Sequence, residues 1–239
     1  MTCRRVAAVV ALVLLGGTIV ACDRETGSVR EVLRYVALGD SYTIGTSVSE
    51  AERWPDQVVA RLAALDHELG SSDGRFGLEL LANLGVNGFT SADLIGVELP
   101  QLDALRPEFM TLLIGVNDVV QGVPDATYRR NVERILDDIV RRVGSGRVLV
   151  VTTPDYTVTP AGASFGDPAQ QAAGIRANNA ILITAAEARG LRVVDIYEVS
   201  QGAATDRALV ASDGLHPSGQ QYGLWVDRIL PAVEELLTR

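Results

Sequence analysis

The chain of 239 residues contains no lysine, so all 21 of its basic residues are arginine. This reads as a compositional bias, but it removes two chemistries: Schiff-base lysine catalysis and the P-loop lysine. Positive charge is scarce overall. A formal net charge of −9 argues against nucleic acid as the main partner, because phosphate binding needs a basic surface. Only two histidines and two cysteines are present. There is no His-Glu-x-x-His, no cysteine cluster and no carboxylate–histidine set at metal-ligand spacing, so no metal site is expected. No glycine-rich phosphate loop follows the first apolar strand, and no organic cofactor is implied. Aromatics make up 5% of the chain, but hydrophobic residues reach 47%, as in ordinary globular proteins. A chain of this length is expected to form one α/β domain with a leader, large enough to bury a core on both faces of a sheet.

The leader is the first feature that is present. Arg4 and Arg5 precede an apolar run, Val6 to Leu15, and then small residues, which is a secretory signal arrangement too short to read as a spanning helix. It ends in Ile19-Val20-Ala21-Cys22, which resembles the lipobox of bacterial lipoproteins. The resemblance implies cleavage after residue 21 and acylation of Cys22, with ordinary signal cleavage and a spare thiol as the alternative. Cys3 would leave with the leader, so the mature chain could form no internal disulfide. Buried acyl methylenes would anchor it to a membrane. The expected organisation is a leader over 1–21, a lipidated tether over 22–31 and a catalytic domain over 32–239, exported and held at the cell envelope.

From about residue 33, apolar β-branched runs alternate with helical periodicity. Strands are expected over 33–38, 78–82, 109–114, 147–152 and 191–196, and helices over 54–69, 91–105, 128–143, 170–189 and 218–237. The run Phe109-Met110-Thr111-Leu112-Leu113-Ile114 is apolar throughout but for one threonine, as expected of a strand covered on both faces. Five strands alternating with helices predict a parallel sheet in a three-layer, flavodoxin-like α/β/α sandwich. Residues 154–168, rich in Pro, Gly and Thr, read as a loop.

Sites in open α/β sheets form at the carboxyl ends of the strands. Four expected strand or helix boundaries carry small, polar or reactive residues: Gly39-Asp40-Ser41-Tyr42, Asn83 to Gly88, Gly115-Val116-Asn117-Asp118, and Asp213-Gly214-Leu215-His216. In this order and spacing they resemble the SGNH (GDSL) hydrolase superfamily over nearly the whole domain, with Tyr42 where that family usually has Leu. The resemblance implies a serine esterase in which Ser41 is the nucleophile, His216 the base and Asp213 its partner. It also implies that Ser41, Gly88 and Asn117 form the oxyanion hole, with Gly88 a better match than Gly85.

The chemistry of the residues agrees. A serine hydroxyl needs a base to take its proton, and the base needs a third group to fix its tautomer. His67 falls on an expected helix among Asp66 and Glu68 and reads as a surface residue, which leaves His216, with Asp213 close enough to orient it. Asp40 and Asp118 read as loop-holding residues. A rival serine, Ser164, lies in Gly162-Ala163-Ser164-Phe165-Gly166, a match to the G-x-S-x-G elbow. Pro154 and Pro160 separate it from the preceding strand, so the required strand–turn–helix context is missing. Expected substrates are small-molecule, glycan or lipid esters: short acyl esters, lysophospholipids or acetylated glycans. Tyr42, Phe89 and the loop from Tyr156 to Phe165 are candidate pocket residues. Two alternatives remain open, a non-catalytic surface lipoprotein that binds glycan or lipid, and an acyltransferase using the same triad.

Overall fold

The computed structural model describes residues 31–69 and 77–238. The leader, Cys22 and the tether through Arg30 lie outside the described residues. Five strands, β1 (Val32–Gly39), β2 (Gly77–Asn83), β3 (Phe109–Leu113), β4 (Val148–Val151) and β5 (Arg192–Val194), form one sheet in the order β2-β1-β3-β4-β5. Every pairing is parallel. The expected α/β/α architecture is therefore observed, and the order is the flavodoxin-like one, in which the chain reverses its winding between β1 and β3.

The helices are α1 (Ser41–Ile44), α2 (Trp54–Leu69), α3 (Ser91–Val97), α4 (Leu102–Leu105), α5 (Val116–Val120), α6 (Asp125–Val143), α7 (Pro168–Glu187), α8 (Tyr197–Ser200) and α9 (Gly219–Leu237). Side chains alternate across the strands, so each face of the sheet builds its own core. Leu33, Tyr35 and Ala37 of β1 pack with Trp54 and Val58 of α2 and with Trp225 and Ile229 of α9. Val36 and Leu38 face the other way, onto Leu94 of α3, Val132 and Leu136 of α6, and Leu182 of α7. Fully burying one such side chain is worth about 1.5–3 kcal/mol. β3 is buried at all five positions, as its apolar run requires, and the one polar side chain, Thr111, pairs its hydroxyl with that of Tyr35 at 2.7 Å.

Three expectations need correction. The single helix over 91–105 is broken: α3 ends at Val97, Leu99–Gln101 form one 3-10 turn containing Pro100, and α4 resumes at Leu102. Proline lacks the N–H and its ring crowds the preceding turn, which favours a break here, although α9 carries Pro231 within it. The last strand is three residues long rather than six. The stretch 154–168 is not a plain loop, because Tyr156–Val158 and Gly162–Phe165 are 3-10 turns. His67 falls within α2, but its reading as a surface residue concerns a side chain outside the described ones.

Candidate active site

Parallel pairing puts the carboxyl ends of β1, β2 and β3 on one edge, and the loops that leave them meet around a cavity of about 220 Å³. Its wall includes Ser41, Gly88, Asn117 and His216.

Ser41 stands at the tightest of these turns. Gly39 has φ +155°, and a Cβ there would come within 2.3 Å of both the Leu113 carbonyl oxygen and Thr43 Oγ1, so only glycine fits. Asp40 then caps α1, its Oδ1 accepting the Tyr42 N–H at 2.9 Å. This makes Ser41 the first residue of a one-turn helix, with 7% of its surface exposed and facing the cavity. Its own N–H has no acceptor within so short a helix. Asp40 is fully buried, and burial, opposed by the Tyr42 N–H and reinforced by the nearby Asp118, pushes its carboxyl up to about 7. It supports the turn and does not line the cavity.

The loop after β2 carries two glycines with different tasks. A Cβ on Gly85 would lie 2.7 Å from the Asp40 carbonyl oxygen, so Gly85 serves the packing of this loop under α1. Gly88 has φ +81° and open space around its Cα, and it lines the cavity. The β3 loop is tied to this one. Asn117 Nδ2 donates to the Phe89 carbonyl at 3.0 Å, which leaves its second amide hydrogen unspent. Asp118 accepts the Ser91 N–H at 2.8 Å and the Ser91 hydroxyl at 2.5 Å, anchoring the β3 loop to the start of α3. Burial raises the Asp118 pKa despite these donors. Both aspartates thus hold loops in place.

His216 sits in a turn closed by Ala211 N–H donating to the His216 carbonyl at 2.8 Å and by Ser218 N–H donating to the Leu209 carbonyl at 2.9 Å. Ser218 also caps α9, so the turn is pinned to a long helix. Asp213 Oδ1 accepts the N–H groups of Leu215 (2.8 Å) and His216 (2.9 Å), and Oδ2 lies 2.6 Å from His216 Nδ1. Burial works to raise the Asp213 pKa, but the His216 ring, these two amides and the Ser47 hydroxyl outweigh it and bring it to about 2. An ionised carboxylate at Nδ1 keeps the proton on that nitrogen and leaves Nε2 as the basic one. The arrangement can therefore accept a proton near Ser41 and offer N–H donors to an oxygen beside it.

Of the candidate pocket residues, Tyr42, Tyr156 and Phe165 line the cavity, whereas Phe89 contributes only its carbonyl, to Asn117. The lining also includes Asn87, Val116, Val120 and Leu215, which were not foreseen. Val116 and Val120 stand four apart on a helix that follows a site-bearing strand, a spacing that puts both on one face. Ser164 lies exposed in its 3-10 turn and does not line the cavity. Among the described residues no group of three or more His, Cys, Asp or Glu side chains could hold a metal ion.

Residues 37–224 match the model of the GDSL-like lipase/acylhydrolase family. Among solved structures, a lipase/acylhydrolase from Enterococcus faecalis is similar with a TM-score of 0.65 and 22% identity, over 84% of this chain and 95% of that one. A variant of an acetyl xylan esterase from Geobacillus stearothermophilus reaches a TM-score of 0.65 at 19% identity, covering 87% and 96%. A lipolytic G-D-S-L protein from Veillonella parvula reaches 0.63 at 17%, covering 83% and 96%. At these identities the likeness is one of fold. Among curated proteins no relative matches. With four-fifths of the chain accounted for by one family model, from the first strand to the last helix, the chain belongs to the GDSL-like lipase/acylhydrolase family and is a serine ester hydrolase.

Proposed function

We propose that the chain hydrolyses carboxylic esters with a short to medium apolar acyl group, through an acyl-enzyme on Ser41. The observation that carries this reading is the meeting of Ser41, Gly88, Asn117 and His216 in one cavity, with Asp213 behind His216 Nδ1. His216 Nε2 takes the Ser41 Oγ proton as Oγ attacks the carbonyl carbon. The oxygen that becomes negative receives the N–H groups of Ser41 and Gly88 and the free amide hydrogen of Asn117. His216 then gives its proton to the departing alcohol, and a water molecule repeats the sequence to release the acid. Asp213 holds the imidazole and stabilises its charged form without taking the proton.

The acyl group is assigned from the rest of the cavity wall. Tyr42, Val116, Val120, Tyr156, Phe165 and Leu215 make it predominantly apolar, and its modest volume favours acyl groups well below the length of a membrane lipid chain. A second reading, acetylated glycans, is favoured by the acetyl xylan esterase among the similar structures. The domain runs over 32–239, behind a leader over 1–21 and a tether attached to a membrane through a lipid on Cys22. The Ile19-Val20-Ala21-Cys22 pattern supports that attachment, and Cys22→Ser should move the protein from the membrane to the soluble fraction of its host.

Hydrolysis of p-nitrophenyl esters from acetate to palmitate, together with an acetylated xylo-oligosaccharide, by the wild type and by Ser41→Ala tests the reading. Turnover of the shorter esters, abolished in Ser41→Ala, is the expected result. Equal turnover in both proteins would remove Ser41 as nucleophile. A preference for the glycan over every p-nitrophenyl ester would favour the second reading.

A further inference from the structure

Ser47 adopts φ +67°, one of two non-glycine residues with positive φ among those described. That conformation is costly for a serine, whereas glycine adopts it freely and asparagine tolerates it. Sparsely populated backbone of this kind persists where surrounding contacts hold it, and such positions cluster at functional sites. Here the Ser47 hydroxyl donates to Asp213 Oδ2 at 2.8 Å, across 166 positions of sequence. This is the same oxygen that meets His216 Nδ1 at 2.6 Å. The preceding residue makes a parallel link. Thr46 Oγ1 donates to Asn87 Oδ1 at 2.5 Å, beside Gly88, and the Thr46 N–H returns to the Ser41 carbonyl at 3.1 Å.

We propose that Ser47 is a positioning residue for the Asp213–His216 pair, and that the turn Gly45–Ser47 clamps the nucleophile helix to the acid–base loop. The inference rests on the triad reading given above. Asp213 Oδ1 is held by two amides of its own turn, which fix the carboxylate relative to that turn but not relative to Ser41. Ser47 lies on the segment that leaves the Ser41 helix, so its hydroxyl ties the carboxylate, and through it the imidazole, to the nucleophile's own backbone. The second donor on Oδ2 also aims that oxygen. One position is filled by His216 Nδ1 and another by the hydroxyl, which resists rotation of the carboxyl group out of the imidazole plane. Positioning at the level of about 1 Å is enough to change rates by two orders of magnitude.

Ser47→Gly in the full chain separates this role from a structural one. Glycine relieves the positive-φ cost while deleting the hydroxyl, so the thermal midpoint should hold or rise as activity falls. A hydrogen bond to a charged group at a partly exposed site corresponds to about a tenfold loss. On p-nitrophenyl acetate, kcat should therefore drop about tenfold with KM within about twofold. The low-field proton resonance of His216 Nδ1, assigned by its absence in His216→Ala, should shift or broaden. Ser47→Asn, which keeps both the backbone conformation and a donor, should recover part of the lost kcat. A Ser47→Gly enzyme with wild-type kcat, or with an unmoved Nδ1 resonance, overturns the proposal. Ser41→Ala run alongside keeps the two failures apart. Turnover persisting there removes the triad reading, whereas an inactive Ser41→Ala beside a fully active Ser47→Gly removes only the role of Ser47.

Discussion

The ring of Tyr42 leans on the ring of His216, with centroids 5.1 Å apart and planes inclined at 52°. Tyr42 also stacks with Trp225 of α9 at 6.5 Å and 25°, so the residue next to Ser41 links the imidazole to the core. Replacing it with alanine opens a void between the site and that core. Tyr42→Ala should cost about 3–5 kcal/mol in stability, read by urea unfolding, and should lower kcat as well. Tyr42→Leu, the side chain usual at this position in related enzymes, should restore most of the stability.

Asn117 donates to the Phe89 carbonyl, and in the proposed mechanism its second amide hydrogen goes to the developing oxyanion. Asn117→Ala should lower kcat by about 10²- to 10³-fold with little change in KM, because the second contact exists only in the transition state. Asp213→Asn should be more damaging, on the order of 10⁴-fold, since an amide lets the imidazole adopt the wrong tautomer. Steady-state kinetics on one ester measures both. A KM rise that accounts for the whole loss in Asn117→Ala would assign it to substrate binding instead.

The fold carries a buried acid behind the Gly39–Ser41 turn. Glu98 is fully buried, its Oε2 accepts the Gly39 N–H at 3.0 Å, and its Oε1 has no partner among the described residues. Burial, only partly offset by the Gly39 N–H and reinforced by Asp40, pushes its carboxyl up from 4.5 to about 9. Between those values the unfolded chain has released a proton that the folded chain keeps, so stability declines as pH rises through this window. Asp40, raised from 3.8 to about 7, acts in the same direction over its own range. Unfolding free energy measured at pH 5, 7 and 9 should fall, and in Glu98→Gln the fall above pH 7 should largely vanish. A slope unchanged by Glu98→Gln would show that the carboxyl does not hold its proton.

Chain-length selection should lie with Val116 and Val120. Enlarging Val120 to Phe fills apolar volume, so turnover of octanoate esters should fall by about 10- to 200-fold relative to acetate, the range that a single methylene commands in an apolar pocket. An unaltered ratio would place the acyl group elsewhere.

The amino-acid sequence alone determined the first four strands, the long helices and the order of the motif segments, because each is a local matter, but not the break at Pro100 or the short last strand. The apolar run from Phe109 to Ile114, the helical spacing of Val132, Ile135, Leu136 and Ile139, and the glycine-bounded turn at Ser41 all declare themselves within a few residues. Once the strands are parallel, their carboxyl ends share an edge, and that much of the site follows. His216 stood out because so few histidines compete with it, and Asp213 because it lies three residues away. The tertiary structure alone decided the rest. The 3-10 turns of 154–168 bring Tyr156 and Phe165 to the cavity, held there in part by the Ala161 N–H on the Gly214 carbonyl at 2.9 Å. The Ser47–Asp213 bond joins segments 166 positions apart. No periodicity or turn preference encodes such contacts. They arise from strand register and helix packing summed over the whole chain, and only the folded backbone brings their atoms within hydrogen-bonding distance.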